Sequence, residues 1–259
     1  MENKILIFIP VYNCEKQITR VLAQINEDVL KFVSKIIVVN NRSTDNTVNN
    51  ALEYIKNNNL PAVVLTNKEN YGLGGSHKVA FNYAIENGFD YIITLHGDDQ
   101  GDISYLLPFL QSGEYEKYDR LVGARFMRGS KLRGYSKFRT FGNYVYDFLF
   151  TLATGTKVYD LGSGLNIFNV GVLKSKYFMK FNDGLIFDYF LIMSSAYLKH
   201  KVKFFPILWR EDDQVSNVKL MNQAMVTLKL LLNFVLNKKK FIESEHRTNI
   251  VENYTAEIA

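Results

Sequence analysis

The chain has 259 residues and a net charge of +5, from 31 Lys and Arg against 26 Asp and Glu. Its 47% hydrophobic and 22% charged residues are typical of a globular chain with a full core, which excludes disordered, collagen-like and disulfide-stapled proteins. The single cysteine, Cys14, favours a reducing compartment, no apolar run approaches the roughly 18 residues of a membrane span, and the first residues are not typical of a signal peptide.

Strands and helices alternate along the first hundred residues. Continuous apolar runs predict four buried strands, at residues 5–9, 36–39, 62–65 and 91–95. Apolar residues spaced by three and four predict helices between them: one over 18–25, one capped by Ser43 or Thr44, and one from about Ser76 to Glu86 with Gly88 at its end. Repeated βαβ units of this kind predict a mostly parallel sheet with right-handed crossovers.

Polar residues stand where each predicted strand ends. The four strands run into segments 10–13, 40–43, 67–75 and 96–100, which are rich in Asn, Asp and Gly. Such residues also favour ordinary turns, which is the alternative interpretation. In open α/β sheets, however, ligands bind beyond the carboxyl ends of the strands. Because polar groups recur at all four ends, a ligand site at this edge is the favoured prediction.

The glycine-rich segment 72–78 does not fit either common phosphate-binding motif. A P-loop needs Gly directly before its Lys and Ser or Thr after it, whereas His77 precedes Lys78 and Val79 follows. The last Gly of the dinucleotide fingerprint would fall on His77, and the segment follows the third predicted strand rather than the first. Both P-loop hydrolysis and hydride transfer are therefore disfavoured.

Six segments follow one another along residues 4–219: "IPVYNCEKQI", "VVNNRSTDNT", "NYGLGGSHKVAFNYAIENGFDYIITLHGDDQGD", "VGAR" followed by Arg139 and Asn143, "DLGSGLNIF" and "FDYFLIMSSAYLKHKVKFFPILWR". In this order they resemble family 2 glycosyltransferases of the GT-A fold, and in particular the dolichol- and polyprenyl-phosphate mannosyl- and glucosyltransferases. The resemblance implies an α/β fold with a mostly parallel central sheet, helices on both faces and a nucleotide-sugar donor across the first four strand ends.

The resemblance also implies which residues bind the donor. Tyr12 and its neighbours would contact the nucleoside, and Asn41 would sit where the family bonds the base. The Arg210 position closes over the donor in the family, although the loop that follows it here, with Ser216, lacks the family's Gly. The full set of expected donor-binding residues is Pro10, Tyr12, Glu15, Asn41, Gly72, Gly97, Asp98, Arg125, Ser163 and Arg210.

A divalent cation, Mg²⁺ or Mn²⁺, is implied at the end of the fourth strand. Asp98 would hold it between the two donor phosphates, where it neutralises charge on the leaving group, with Gln100 as second ligand. His96 replaces the family's first Asp there; it is either a ligand that favours Mn²⁺ or a hydrogen-bonding residue, and Asp99 is an alternative carboxylate. Up to four carboxylates of the family pattern are absent, and the residues in their places are Cys14, Asn40, Asn41 and His96. Cys14 is interpreted as a small filler rather than a reactive thiol.

The acceptor side is predicted from a basic segment and two carboxylates. No acidic residue lies between Leu121 and Tyr146, and arginine there suits phosphate recognition, so the resemblance assigns Arg125 and Arg139 to donor and acceptor phosphates. Asp160 and Asp188 are the candidate general bases for a hydroxyl acceptor. A lipid phosphate is already an anion and would need no base. The expected catalytic residues are therefore Asp98, Asp160, Asp188 and Arg139.

Two apolar stretches, 141–153 and 220–241, predict membrane-surface helices or helices packed on their own domain or on a second copy. In the second stretch Met225, Leu228, Leu232 and Val235 share one face, and lysines flank it. We expect peripheral attachment to the inner face of the cell membrane, in the cytoplasm. The tail from about Ser244 is expected to be polar and frayed.

The predicted protein is thus a GT-A transferase domain over 1–218 with an amphipathic basic helix and polar tail over 219–259. It is expected to transfer a sugar, with inversion and metal assistance, to a polyprenyl phosphate or other lipid-linked acceptor in envelope glycan synthesis. The alternatives are transfer to a polysaccharide hydroxyl and a degenerate nucleotide-sugar-binding scaffold. A nucleic-acid partner is not expected, because no recognised binding motif accompanies the basic segment. A homo-oligomer remains open.

Overall fold

A computed structural model describes residues 3–211 and 220–259. The strands in these ranges are β1 (Ile5–Val11), β2 (Lys35–Asn40), β3 (Ala62–Asn67), β4 (Tyr91–Leu95), β5 (Arg120–Ala124), β6 (Lys131–Arg133), β7 (Leu165–Asn169), β8 (Val202–Pro206), β9 (Leu208–Arg210) and β10 (Ala256–Ile258). The helices are α1 (Ile18–Ala23), α2 (Glu27–Leu30), α3 (Thr47–Asn57), α4 (Gly72–Glu86), α5 (Leu107–Gln111), α6 (Lys137–Thr154), α7 (Val170–Leu173), α8 (Phe187–Tyr197), α9 (Leu220–Leu236) and α10 (Lys238–Glu243).

The central sheet of the described residues has eight strands in the order β10-β3-β2-β1-β4-β7-β5-β8. The first four strands of the chain run parallel, as predicted, since β1 pairs in parallel with β2 and β4, and β2 with β3. The antiparallel strand β7 lies between β4 and β5, and β10 adds an antiparallel edge beside β3. The carboxyl ends of β1 to β4 therefore meet at one edge of the sheet.

Helices cover both faces of this sheet, which explains the continuous apolar runs in its strands. Along β1, Leu6 and Phe8 point into one hydrophobic cluster, where they meet Phe81 of α4 and Phe187 of α8. Residues at alternate positions, such as Ile7, join a second cluster with α1 on the other face. Because β1 has an apolar core on both sides, all seven of its residues are apolar, and polar residues begin only after it ends.

Two predicted helix starts are wrong. Helix α3 begins at Thr47, with Asn46 at its cap position, because Ser43 instead accepts a hydrogen bond from the backbone N–H of Asn13. Helix α4 begins at Gly72 rather than near Ser76. Its first turn packs so tightly against the loop at 182–184 that a Cβ on Gly72 would lie 2.5 Å from the carbonyl oxygen of Asp183. This close packing of α4 on the loop therefore requires glycine in the first turn, although a glycine-rich sequence is more typical of a loop.

The C-terminal tail is ordered, contrary to the frayed tail expected from about Ser244. Helix α10 is followed by a segment that reaches Tyr254, which is 5% exposed, and then by β10. Tyr254 belongs to the same hydrophobic cluster as α4 and α8, and Val251 and Ala256 pack against that cluster. A few widely spaced apolar residues are enough to dock this polar tail, because each of them packs against the hydrophobic core of the domain. The domain boundary at 218/219 and the Ser216 loop lie outside the described residues.

Candidate functional site

A cleft of about 400 Å³ lies at the carboxyl ends of β1 to β4. Residues that follow all four of these strands line it, so the predicted convergence of the polar strand ends is confirmed. Two further residues, Gly184 and Leu185, come from the loop before α8. The lining residues are Pro10, Val11, Tyr12, Cys14, Asn41, Asn70, Gly72, Leu73, Ser76, His96, Gly97, Asp98, Gly184 and Leu185.

On the β1 side, Tyr12 offers the cleft an aromatic ring that is 52% exposed. Cys14 beside it is buried, and burial raises the pKa of its thiol to about 11, so it is a neutral filler as expected. Glu15 does not line the cleft. Its carboxylate accepts a hydrogen bond from the backbone N–H of Asn46 at 3.2 Å, at the start of α3.

On the β2 side, Asn41 is 6% exposed, and its hydrogen bonds hold this side of the cleft together. Its Oδ1 accepts hydrogen bonds from the backbone N–H of Tyr71 at 2.8 Å and from Asn67 at 3.0 Å, and its Nδ2 donates to Asn70 at 2.8 Å. An amide NH₂ carries two donors. The bonds that the structure describes therefore leave Asn41 one N–H for a ligand.

At the end of β4, Gly97 brings the backbone close to β1: a Cβ there would lie 2.4 Å from Val11 and 2.8 Å from the carbonyl oxygen of Pro10. Asp98 follows and lines the cleft. Burial raises the pKa of its carboxyl, and the charge of His96 opposes this shift. The ring of His96 packs on Gly164, and its buried Nε2 has no hydrogen-bond partner in the described parts of the chain.

These groups fit a divalent cation only in part. Within 3–211 and 220–259, no three His, Cys, Asp or Glu side chains come together as a metal site. Asp99, the alternative carboxylate, is held by Arg20 at 2.7 Å and Arg210 at 3.2 Å. What remains is the Asp98 carboxylate and the unpartnered His96 nitrogen. That set fits an ion that takes its other ligands from phosphates and water, and the imidazole suits Mn²⁺ better than Mg²⁺.

The remaining predicted residues lie outside the cleft lining, and most of their charged side chains are held in ion pairs. Arg125 grips Asp160 with two side-chain hydrogen bonds, at 2.7 and 2.8 Å, and Asp160 is fully buried. Asp188 is 4% exposed and pairs with Arg120 at 3.2 Å. The other members of this group are Arg139, which pairs with Glu211 at 2.7 Å, and Ser163, which is fully buried. The last two are Arg210 and Gln100, and the backbone N–H of Arg210 donates to the backbone carbonyl of Gln100.

The sequence of residues 6–175 matches the profile of Glycosyl transferase family 2. The chain is a family 2 glycosyltransferase. The transferase is 24% identical to dodecaprenyl-phosphate galacturonate synthase of Rhizobium johnstonii, over 64% of this chain and 48% of that protein. It is 31% identical to undecaprenyl-phosphate 4-deoxy-4-formamido-L-arabinose transferase of Proteus mirabilis, over 64% of this chain and 49% of that protein. The chain thus spans about half the length of these two relatives.

The fold of the transferase is similar to that of a solved protein structure. Residues 1–349 of TarS from S. aureus, crystallised with UDP, superpose with a TM-score of 0.59 at 20% identity, over 90% of this chain and 66% of that one. At this level of identity the likeness shows the fold alone. It confirms the predicted GT-A fold with a large central sheet between layers of helices.

The transferase exposes the apolar faces of α6 and α9, which pack against each other. In α6 the buried face mixes Asp147 and Thr154 with Phe150. Tyr146 and Leu149 pack partly against the core, and six other large apolar side chains of the helix are exposed. We call this surface the apolar platform. Its exposed members are Phe138, Phe141, Tyr144, Val145, Phe148 and Leu152 of α6, and Met225, Val226, Leu228, Leu232, Val235 and Leu236 of α9. In the described ranges no helix has both the length and the apolar character to cross a bilayer.

Sequence reasoning missed three parts of the transferase. Leu185 lines the cleft although it lies far along the chain from the four strand ends, and no local pattern marks it. Lys78 is fully buried, although its sequence context predicted only that the segment is not a P-loop. Asp147 is buried, and as the one acidic residue in the sequence of α6 it carried a signal that could have drawn attention to it.

Proposed function

We propose that this glycosyltransferase moves a sugar from a nucleoside-diphosphate donor to a lipid-linked acceptor carrying a phosphate, with inversion, at the inner face of the cell membrane. The observation that carries the proposal is the cleft at four strand ends with the apolar platform connected to it. Inversion follows if the acceptor oxygen attacks the sugar directly from the face opposite the departing diphosphate.

The donor half rests on the shape and polarity of the cleft. Its volume of about 400 Å³ falls within the range of small-molecule sites. Tyr12 presents a ring on which a base can stack, and Asn41 keeps one N–H for it. Gly97 lets a diphosphate approach the backbone beside Asp98, and UDP is the ligand crystallised with TarS.

A divalent cation would be held by Asp98, with His96 as the candidate partner that also lines the cleft; Gln100, the second ligand that the resemblance implies, lies outside the cleft lining. When bound, such an ion neutralises negative charge that develops on the leaving diphosphate. The chain itself orients the donor, since Gly97 and Asn41 are fixed by backbone contacts and hydrogen bonds before any ligand arrives.

The acceptor half rests on the absence of a free general base among the predicted candidates. Asp160 and Asp188 are both buried and both in ion pairs with arginines. A carboxylate held in this way would have to break its pair to take a proton. A phosphate acceptor is already an anion and needs no proton removed, so the buried pairs favour it over a glycan hydroxyl. Both lipid-phosphate relatives carry such an acceptor in their names.

The membrane half rests on the platform and its charge. Helix α9 has no acidic residue, and Asp147, the acid of α6, is buried. Exposed lysines, Lys137 and Lys229, accompany the apolar side chains, which suits an anionic membrane surface. The platform is connected to the cleft: Arg139 of α6 pairs with Glu211, the neighbour of Arg210, which holds the loop that carries Asp98.

Transfer is tested with the purified chain, labelled UDP- and GDP-sugars and Mn²⁺, in vesicles that contain undecaprenyl phosphate, undecaprenol or neither. We expect labelled lipid only with the phosphate, and we expect Asp98→Asn to abolish it. Asp28→Asn, at an exposed carboxylate of α2, is the matched control and should leave transfer unchanged. Transfer to a soluble glycan without any lipid phosphate would contradict the proposed acceptor. If the chain binds no nucleotide, the proposed nucleoside-diphosphate donor is wrong.

Membrane attachment is tested by flotation with anionic vesicles at low salt. Phe141 and Phe148 are 68% and 60% exposed. If each contributes about 1–2 kcal/mol on insertion, Phe141→Ser with Phe148→Ser should weaken partitioning by roughly 30-fold or more. The control is Ile250→Ser with Ile258→Ser, two exposed apolar residues outside the platform. A wild-type protein that stays at the bottom of the gradient as a dimer would instead identify the platform as an interface between copies.

A further inference from the structure

We propose that Tyr254, in the C-terminal tail, is a positioning residue that holds one wall of the donor cleft in place. The wall is the segment 182–185, called the cleft wall below. The proposal rests on the proposed function for the identity of the ligand, but the wall and its anchors are described by the geometry of the chain alone.

The cleft wall docks onto the first turn of α4. Gly184 and Leu185 line the cleft, and the backbone carbonyl of Asp183 accepts a hydrogen bond from the N–H of Gly74 at 2.7 Å. A Cβ on Gly74 would lie 2.6 Å from the carbonyl oxygen of Asn182. Because the helix turn and the wall approach so closely, a small displacement of the wall changes the width of the cleft.

The carboxylate of Asp183 fixes this wall from behind. Lys78, fully buried in α4, donates to its Oδ1 at 2.7 Å and to the carbonyl of Phe181 at 2.6 Å. The hydroxyl of Tyr254 lies 2.9 Å from both carboxylate oxygens of Asp183 and donates to one of them. Two donors from distant parts of the chain therefore hold the same anion.

Tyr254 reaches Asp183 because the tail completes the sheet. β10 pairs antiparallel with the end of β3, and the carbonyl of Thr255 accepts the N–H of Lys68 at 3.2 Å. The Tyr254 ring packs edge to face on Tyr71, with ring centres 5.3 Å apart, and lies 4.8 Å from the ammonium of Lys78. Tyr71 in turn donates its N–H to Asn41, so the tail is joined to two walls of the cleft.

The proposal predicts an effect on donor affinity that exceeds any effect on chemistry. Tyr254→Phe keeps the ring contacts and removes only the hydroxyl. Of UDP and GDP, we test the one that the wild type binds with Mn²⁺, and we expect its Kd to rise by about three- to tenfold. The lost hydrogen bond is to the charged Asp183, which holds the cleft wall but does not itself line the cleft. The maximal rate of transfer should stay within about twofold, since Tyr254 does not touch the cleft.

The test combines titration calorimetry with amide hydrogen exchange of the full chain. Exchange should accelerate at 72–75 and 181–187 in Tyr254→Phe. Glu257→Gln is the matched control: it lies in the same tail strand and loses only an exposed ion pair with Lys68, at 3.5 Å. It should match the wild type in both measurements.

Unchanged exchange and unchanged nucleotide affinity in Tyr254→Phe would overturn the proposal. Equal losses in Tyr254→Phe and Glu257→Gln would also overturn it, because they would indicate general stabilisation by the tail. If the wild type binds neither UDP nor GDP, the proposed function fails, and the exchange at 181–187 still decides whether Tyr254 positions the wall.

Discussion

Asp147 offers the sharpest quantitative test of how α6 is built. Its side chain is 7% exposed, and its Oδ2 is buried without a hydrogen-bond partner in the described ranges. Burial raises the pKa of this carboxyl from 3.8 to about 8; the nearby charge of Asp160 acts in the same direction, and Arg125 and Lys157 oppose it. Asp147→Asn keeps the shape of the side chain and removes its titration.

The sign and size of the effect follow from proton linkage. Between pH 5 and 8 the unfolded chain ionises Asp147 while the folded chain keeps it protonated, so the folded state binds the additional proton. The free energy of unfolding therefore falls as the pH rises. With about 1.4 kcal/mol for each pKa unit, the wild type should lose roughly 3–4 kcal/mol over this interval relative to Asp147→Asn.

Urea unfolding at pH 5, 6, 7 and 8 measures this difference, with the fluorescence of Trp209, the one tryptophan of the chain, as the signal. The comparison of the two proteins cancels the titration of every other group. Asp28→Asn, at an exposed aspartate, should show no such slope. A difference between wild type and Asp147→Asn that stays constant within about 0.5 kcal/mol would refute the reasoning, since it would mean that the buried carboxylate is ionised throughout.

Two further substitutions probe the residues around the cleft. Gly164→Ala should destabilise the protein by about 2 kcal/mol or more and weaken nucleotide binding, because Gly164 has a φ of +70° and its Cβ would lie 2.5 Å from the ring of His96; a wild-type thermal midpoint would show that the ring moves freely. Arg125→Met should cost about 3–5 kcal/mol by leaving Asp160 buried without its partner. Adding Asp160→Asn should recover most of that lost stability in urea unfolding. If it does not, Arg125 stabilises the fold through its packing on Trp209, whose ring centre lies 4.7 Å from the guanidinium carbon.

The sequence determined the architecture of the first hundred residues and the place of the site. A strand covered on both faces favours apolar residues along its length, and the polar residues after it mark where the cover stops, so the pattern predicts both the strand and its end. This is why Asn41 and Asp98 were predicted at one edge, and why β4 was predicted with its observed bounds. The order of the motifs was enough to identify the family.

Only the tertiary structure decided which charges pair and which way an apolar helix faces. Arg125 meets Asp160, and Arg139 meets Glu211, across gaps of 35 and 72 residues, and no local pattern encodes such a partner. The spacing in α6 predicts an apolar stripe but is equally compatible with a stripe turned inward or outward. Tyr254 likewise gained its role only when the folded sheet presented an edge to the tail. Periodicity reports on neighbours along the chain, whereas these contacts depend on distances that exist only after the chain has folded.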